Sequence, residues 1–272
     1  MDDYGKSNLI IGNSHIAFGS IYYFDTIQIG NCKLNQNHWK DENWYEITNS
    51  DVCSPGFRNV KKIIMSNCSL DFYTGGAKQL TLYDSIPEVN LSNCNFLHTP
   101  VDAYDYSVWL FKAREVSGTT INYFNFNVSN CKLENCILST HSTNTYCHTK
   151  LTAIGNTFKW NMSPDFEVNG DELIFSNNII ETSNTSLPIC FSNNSANDTI
   201  TDNLHTAIIN NNIIHSASTL YFSQNTSSPV AEDAKTIIIM GNAIDNGVTN
   251  GAIPVVIHSN SNIINTNNIN IL

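Results

Sequence analysis

The 272-residue sequence predicts an all-β solenoid whose coils stack in parallel. Three observations predict it. A short phrase built on asparagine recurs along the chain, apolar residues alternate on either side of each copy, and no amphipathic helix separates the copies.

The phrase reads IGNCKL at 29 to 34, MSNCSL at 65 to 70, LSNCNF at 91 to 96 and VSNCKL at 128 to 133, then FSNNII at 175 to 180 and INNNII at 209 to 214. Aligning its first asparagine gives positions 13, 31, 67, 93, 130, 156, 177, 211, 242 and 260. Successive intervals run from 18 to 37 residues, so a fixed corner joins segments of elastic length.

Before each asparagine the apolar residues keep the period of two of a strand with one buried face. Ile27 and Ile29, Ile63 and Met65, Val89 and Leu91, and Leu173 and Phe175 show it. Beyond the asparagine the alternation resumes out of phase: Ile29 to Leu34, Met65 to Leu70, Leu91 to Phe96, Val128 to Leu133 and Phe175 to Ile180 are each five apart. An odd separation requires one residue to leave the pleat, as at a sharp bend. Asparagine tolerates the left-handed backbone of such a bend, and the residue before it is always small (Gly30, Ser66, Ser92, Ser129, Gly155, Ser176, Asn210, Gly241). The copies at 154 to 158 and 240 to 244 shorten the separation to four, so those corners are expected to differ locally.

Strands joined by a one-residue corner and repeated in this way cannot pair as hairpins, which would reverse direction each time. They fit coils in which each strand bonds to its equivalent about 4.8 Å above. On these features the sequence resembles the right-handed single-stranded parallel β-helices, the pectin-lyase-like superfamily that includes polysaccharide lyases, pectinases and phage tailspikes. The resemblance covers nearly the entire chain. It implies one parallel β-helix domain of about nine coils over residues 1–272, with loop insertions near 35–59, 98–120, 183–205 and 216–235.

Eight cysteines in a chain of this length are too sparse for a disulfide scaffold. Cys32, Cys68, Cys94 and Cys131 share the phase of Leu34, Leu70, Phe96 and Leu133, and the same slot is next filled by Asn178 and Asn212. An inward stack of free thiols passing into asparagine is therefore expected. Stacked strands hold such sulfurs in a line, whereas a metal needs ligands converging on one ion, so no metal ligand is assigned. Parallel side chains also make the disulfide torsion awkward.

Hydrophobic residues make up 41% of the chain and charged ones only 14%, so about forty asparagines must cover much of the surface. A net charge of -11 with no run of lysine or arginine excludes nucleic acid as the expected partner. No apolar stretch approaches a membrane span, and MDDYGKSNLI lacks the regions of a signal peptide.

Candidate sites fall in two stretches, NQNHWKDENWYEITNSDVCSPGFRN (35 to 59) and HTPVDAYDYSVWLFKAREVSGTT (98 to 120). In the second, VWLFKARE alternates: if Trp109, Phe111 and Ala113 face in, Lys112 and Arg114 face out, near Asp102 and Asp105. Lyases of the resembled superfamily take the proton beside a uronate with a basic residue, often with carboxylates holding calcium, and its hydrolases use paired carboxylates. Asp102, Asp105, Lys112 and Arg114 are thus the catalytic candidates, although the same four would also pair on a solvated face. Trp39, Trp44, Tyr45, Tyr104 and Tyr106 are the substrate-binding candidates, since aromatic rings give platforms for sugar faces, or else they fold their own loops down. No cofactor is expected, except calcium if the protein is a lyase. The acidic stretch PDFEVNGDE (164 to 172) reads as a turn.

The resemblance implies a glycan-recognising module like a phage tailspike, on a virion tail. The expected partners are a polysaccharide and further copies of the chain, a trimer. The repeats run from about residue 9 to the final NTNNINIL and leave no room for caps, so a longer chain or an assembly is expected to shield the ends. A secreted or cell-surface polysaccharide lyase or glycoside hydrolase is the alternative, and a non-catalytic structural or adhesive shaft a third reading.

Overall fold

One residue at each bend turns an alternating sequence into a coil. In the computed structural model Asn13, Asn31, Asn67, Asn93, Asn130, Asn177, Asn211 and Asn267 all take φ between 52° and 57°, the left-handed conformation asparagine adopts most readily among non-glycine residues. The structure describes residues 8–16, 21–22, 24, 26–35, 56–58, 60–72, 80–83, 88–98, 108–114, 122–140, 147–161, 166–168, 172–182, 189–191, 206–215, 220–222, 236–245, 255–257 and 262–270.

The described residues are all strand, bend or extended chain, without helix, and they form three parallel sheets. The first sheet has ten strands. They are Asn8–Gly12, Thr26–Gly30, Lys62–Ser66, Glu88–Ser92, Asn122–Ser129, Cys147–Ile154, Glu172–Ser176, Thr206–Asn210, Thr236–Met240 and Asn262–Thr266. The second sheet takes the ten strands that follow the corners, from His15–Ile16 to Ile269–Asn270. The third has nine, from Ile21–Tyr22 to Val255–Ile257. Each strand pairs with the one three further along the chain, so each coil adds one strand to each sheet, as a parallel β solenoid does.

The third sheet runs through the segments between corners. The stretch 164 to 172, expected as a turn, instead contains the strand Phe166–Val168, which pairs with Ile189–Phe191. Three residues are too few to show a period of two, so chain connectivity rather than patterning makes this strand.

The structure corrects the register at two corners. At 155 and 241 the left-handed residue is Gly155 (φ 69°) and Gly241 (φ 66°), not the asparagine that follows. Realigned, Ala153 to Phe158 and Ile239 to Ile244 are again five apart, all four are buried, and the apparent shortening disappears. The residue before these corners is then Ile154 or Met240, each about two-fifths exposed, so small size there is not a rule. Glycine is used because the preceding corner's side chain lies over it: a Cβ on Gly155 would sit 2.7 Å from Asn130 Oδ1, and one on Gly241 2.5 Å from Asn211 Oδ1. The last corner is Asn267, not Asn260, which lies outside the described residues.

At the first corner the slot holds Ser14, which is exposed; after the later ones it points inward, and its occupants are Cys32, Cys68, Cys94, Cys131, Asn156, Asn178, Asn212, Asn242 and the half-buried Asn268. The bend hardly interrupts the backbone ladder, because the corner N–H still reaches the next coil (Asn31 N to Ser66 O, 3.0 Å) and the residue two later reaches the previous one (Ser69 N to Cys32 O, 3.0 Å). The N–H between them has no such backbone partner. Side chains supply it: Cys131 N–H donates to Asn156 Oδ1 (2.8 Å), Asn156 N–H to Asn178 Oδ1 (2.8 Å) and Asn178 N–H to Asn212 Oδ1 (2.8 Å). Each amide also donates back to the last inward-facing residue of the preceding coil's strand, as Asn178 Nδ2 does to Ala153 O (3.0 Å), and forward to the next Oδ1. All four hydrogen-bonding capacities of the carboxamide are used.

Cysteine does the same work with one atom. Cys68 Sγ donates to Ile29 O (3.4 Å) and Cys94 Sγ to Met65 O (3.6 Å), the positions that Nδ2 serves elsewhere, while Cys131 Sγ accepts from Cys94 N–H (3.4 Å). Around this column pack the inward rows Ile27, Ile63, Val89, Phe126, Leu151 and Leu173, and Ile29, Met65, Leu91, Val128, Ala153 and Phe175. The small Ala153 lies in the row beside Phe175, whose ring stacks on Phe158 at 5.5 Å.

Replacing Asn178 by alanine leaves Asn156 N–H, Asn156 Nδ2 and Ala153 O without their partner, and buried groups so stranded cost about 1–3 kcal/mol each before relaxation. Urea unfolding should show Asn178→Ala destabilised by about 3 kcal/mol or more. Asn178→Cys should be milder, because the thiol both donates and accepts; equal losses in the two variants would refute this account of the slot.

Candidate functional site

The thiol stack is the first candidate for chemistry. Cys32, Cys68, Cys94 and Cys131 are free, buried and aligned one rung apart, and among the described residues no group of three or more ligating side chains converges on a point. Neighbouring thiols perturb one another, and the last of them is Cys131. Its hydrogen bond with Cys94 lowers the Cys131 pKa against the effect of burial. The same bond, with burial adding, pushes Cys94 up to about 11. Cys68 is raised further, first by its bond with Cys94 and then by burial. Thiols raised in this way, Cys68 and Cys94, are poor nucleophiles, and all four of the stack are buried in the core.

A fifth buried thiol repeats the corner chemistry outside the main column. Asn135 takes φ 55°, its Nδ2 donates to His98 O (3.0 Å), and Cys136 follows it. The signal was present as ENC at 134 to 136, five residues after the NC of the main corner. It turns the second-sheet strand Lys132–Glu134 directly into the third-sheet strand Cys136–Thr140.

Of the predicted catalytic residues, Lys112 and Arg114 lie in the third-sheet strand Val108–Arg114, two apart and therefore on one face of it. Lys112 is in register with Thr81 and Arg114 with Tyr83. On its other side this strand faces Cys136–Thr140, where the register slips by one residue between Trp109 and Phe111. Asp102, Asp105, Tyr104 and Tyr106, and likewise Trp39, Trp44 and Tyr45, lie outside the described residues.

Register brings in residues that the sequence alone did not connect. Tyr22 is opposite Arg58, Arg58 opposite Tyr83 and Tyr83 opposite Arg114. Four successive rungs of the third sheet thus alternate tyrosine and arginine in one column. The next column of the same parity is Gly56, Thr81 and Lys112, and between the two runs the apolar column Ile21, Phe57, Leu82 and Ala113. Apolar residues alternating with tyrosine, arginine and lysine give the strands one apolar and one polar parity. In the sequence the only sign was four dipeptides, IY, FR, LY and AR, separated by 25 to 36 residues.

Elsewhere on the first sheet the charges are paired across rungs. Lys62 Nζ meets Glu88 Oε1 at 2.8 Å and Lys150 Nζ meets Glu172 Oε2 at 3.1 Å. The Lys62 bond, helped by Asn90, holds the Glu88 carboxyl below its ordinary range. Among the described residues no helix is long and apolar enough to cross a membrane. No protein-family model, curated protein or solved structure matches the chain.

The raised thiols set an alkaline limit. The folded state holds protons on Cys68 and Cys94 that the unfolded chain releases above a pKa of about 8.5, so their contribution is complete below that pH and is lost as pH rises toward about 11. Unfolding free energies measured from pH 7 to 10.5 should fall above about 8.5, with a shallower slope in Cys94→Ala. Native-state labelling by a thiol reagent should leave Cys32, Cys68, Cys94, Cys131 and Cys136 unmodified until urea is added.

Proposed function

We propose that this protein is a surface-glycan-recognising module, a right-handed parallel β-helix of the pectin-lyase-like kind that resembles a phage tailspike, and that its third sheet carries the binding surface. The observation that carries the reading is the column Tyr22, Arg58, Tyr83 and Arg114 with Lys112 beside it. Rungs about 4.8 Å apart step at roughly the length of one sugar unit. Tyrosine offers a flat apolar body with a polar tip for a sugar ring, and arginine a planar fork for a carboxylate. Three cations gathered there, in a chain with 13 Lys and Arg against 24 Asp and Glu, favour an acidic polysaccharide over a neutral one. Right-handed winding is what parallel crossovers adopt almost without exception. A virion tail is the setting the resemblance offers, with a homo-oligomer, a trimer, as the assembled form.

Cleavage is the second reading, and Lys112 favours it. A lysine beside bound uronate is placed to take a proton, the step a polysaccharide lyase needs, with Asp102 and Asp105 as candidate calcium ligands or partners. The same residues without turnover describe an adhesive shaft.

A panel of acidic and neutral capsular polysaccharides, read by calorimetry, tests the binding. Acidic polymers should bind, and Arg58→Ala and Arg114→Ala should each weaken binding about ten- to a hundredfold, the loss expected of a charged hydrogen bond. Binding that is indifferent to both substitutions, or confined to neutral polymers, would rule the column out. Depolymerisation assays with Lys112→Ala and Asp105→Ala separate enzyme from shaft.

A further inference from the structure

The inward slot is filled in two ways, and hydrogen bonding alone does not explain the division. A carboxamide uses all four of its capacities there, whereas a thiol serves the same groups weakly from one atom. Cysteine nevertheless occupies four consecutive rungs, Cys32, Cys68, Cys94 and Cys131, with no asparagine among them. Stability alone would favour extending the amide column through these coils.

Four thiols so placed form a linear array of soft donors. Adjacent occupants of the slot are one rung apart, about 4.8 Å, and the thiols of Cys68, Cys94 and Cys131 are near enough to perturb one another. Their surroundings are apolar: Met65, Leu91 and Val128 pack before the corners, and Phe96 and Leu133 after them. No carboxylate is buried among the described residues. A tetrahedral ion needs ligands that converge, and among the described residues no three ligating side chains do so. A two-coordinate ion needs only two, on opposite sides.

We propose that adjacent thiols of this column hold Cu(I), a soft monovalent cation, between two sulfurs. Three arguments select it. Thiolate donors in a site without carboxylates favour Cu(I) over hard cations. Two bonds to sulfur of about 2.3 Å, laid end to end, span about 4.6 Å, close to one rung. The charge is also met. The ion forms two S–Cu bonds, the two thiol protons leave to solvent, and the bis-thiolate keeps one negative charge with no change of oxidation state. Slot N–H groups face that charge, as Cys94 N–H already does in donating to Cys131 Sγ at 3.4 Å, and hydrogen bonds of this kind favour a charged sulfur. The next rung is Asn156, which accepts from Cys131 N–H through oxygen, so the site ends at Cys131. The proposal is independent of the third sheet and of the glycan reading.

Refolding the full chain with Cu(I) under anaerobic, reducing conditions tests it, since the folded column is closed, followed by dialysis against a Cu(I) chelator. Two double variants decide the outcome. Cys68→Asn with Cys131→Asn leaves no two column thiols adjacent, whereas Cys32→Asn with Cys136→Ser removes as many cysteines and keeps Cys68, Cys94 and Cys131 together. Asparagine is the slot's own alternative, so both should fold, as circular dichroism checks. The wild type and the second variant should retain copper with two sulfur neighbours by X-ray absorption, and the first should hold it at least tenfold more weakly. Should the first variant not fold, Cys94→Asn, which leaves only Cys32 beside Cys68, must still lower the copper retained. Equal retention in the two double variants, a wild type stripped by the chelator, or an ion with nitrogen, oxygen or further sulfur neighbours would each overturn the inference.

Discussion

The whole solenoid depends on satisfying one backbone N–H per coil. A left-handed corner residue lets two straight strands meet at a sharp angle while its own N–H and that of the residue two later stay in the inter-coil ladder. The amide between them is carried inside and would be a buried, unpaired donor. The side chain at the same position one coil on accepts it, as Asn178 Oδ1 does from Asn156 N–H. The need therefore recurs with every coil, and the solution is an unbroken column rather than a set of separate caps. Cysteine and asparagine share the column because sulfur both donates and accepts, weakly, from one atom.

With the interior so constrained, variation moves outward and into the segments between corners. Ladder neighbours are 22 residues apart between Asn156 and Asn178 and 37 apart between Cys94 and Cys131, yet in both the inward N–H donates to the side chain one coil on. Long insertions in such segments cost little, since closure entropy grows only with the logarithm of length. The coils are then free to differ elsewhere: a tyrosine and arginine column in register on the third sheet, ion pairs on the early rungs of the first, and isoleucine on its late rungs.

Much of the fold was legible in the sequence because the corner is local. The phrase, the odd separation and the inward slot are properties of six consecutive residues, and Ile29 to Leu34 or Val128 to Leu133 display them unaided. The corners at Gly155 and Gly241 are not legible in the same way, because the asparagine visible there belongs to the ladder, while the bend has passed to a glycine one position earlier. Two asparagines with different duties, one left-handed and one inward, look alike in a sequence when only one is present. The third sheet was harder, since Phe166–Val168 and Ile189–Phe191 are too short for periodicity to register. Arg58 and Tyr83 are not connected in the sequence for a related reason: the members of one column are dispersed along the chain, and only register makes them neighbours.

The asparagine column is also a one-way structure. Each Oδ1 from Asn178 to Asn268 accepts from the coil on its N-terminal side, and each Nδ2 from Asn156 to Asn242 donates to the Oδ1 on its C-terminal side. The carboxamide dipoles therefore line up head to tail along the solenoid axis, as peptide dipoles do in a helix, and neighbouring bonds polarise one another. The interior has a built-in electrical direction, positive toward the C-terminal coils, which fades where the amides give way to thiols at Cys131. Reversing a single carboxamide would set acceptor against acceptor on one side and donor against donor on the other, so the column holds one orientation as a unit.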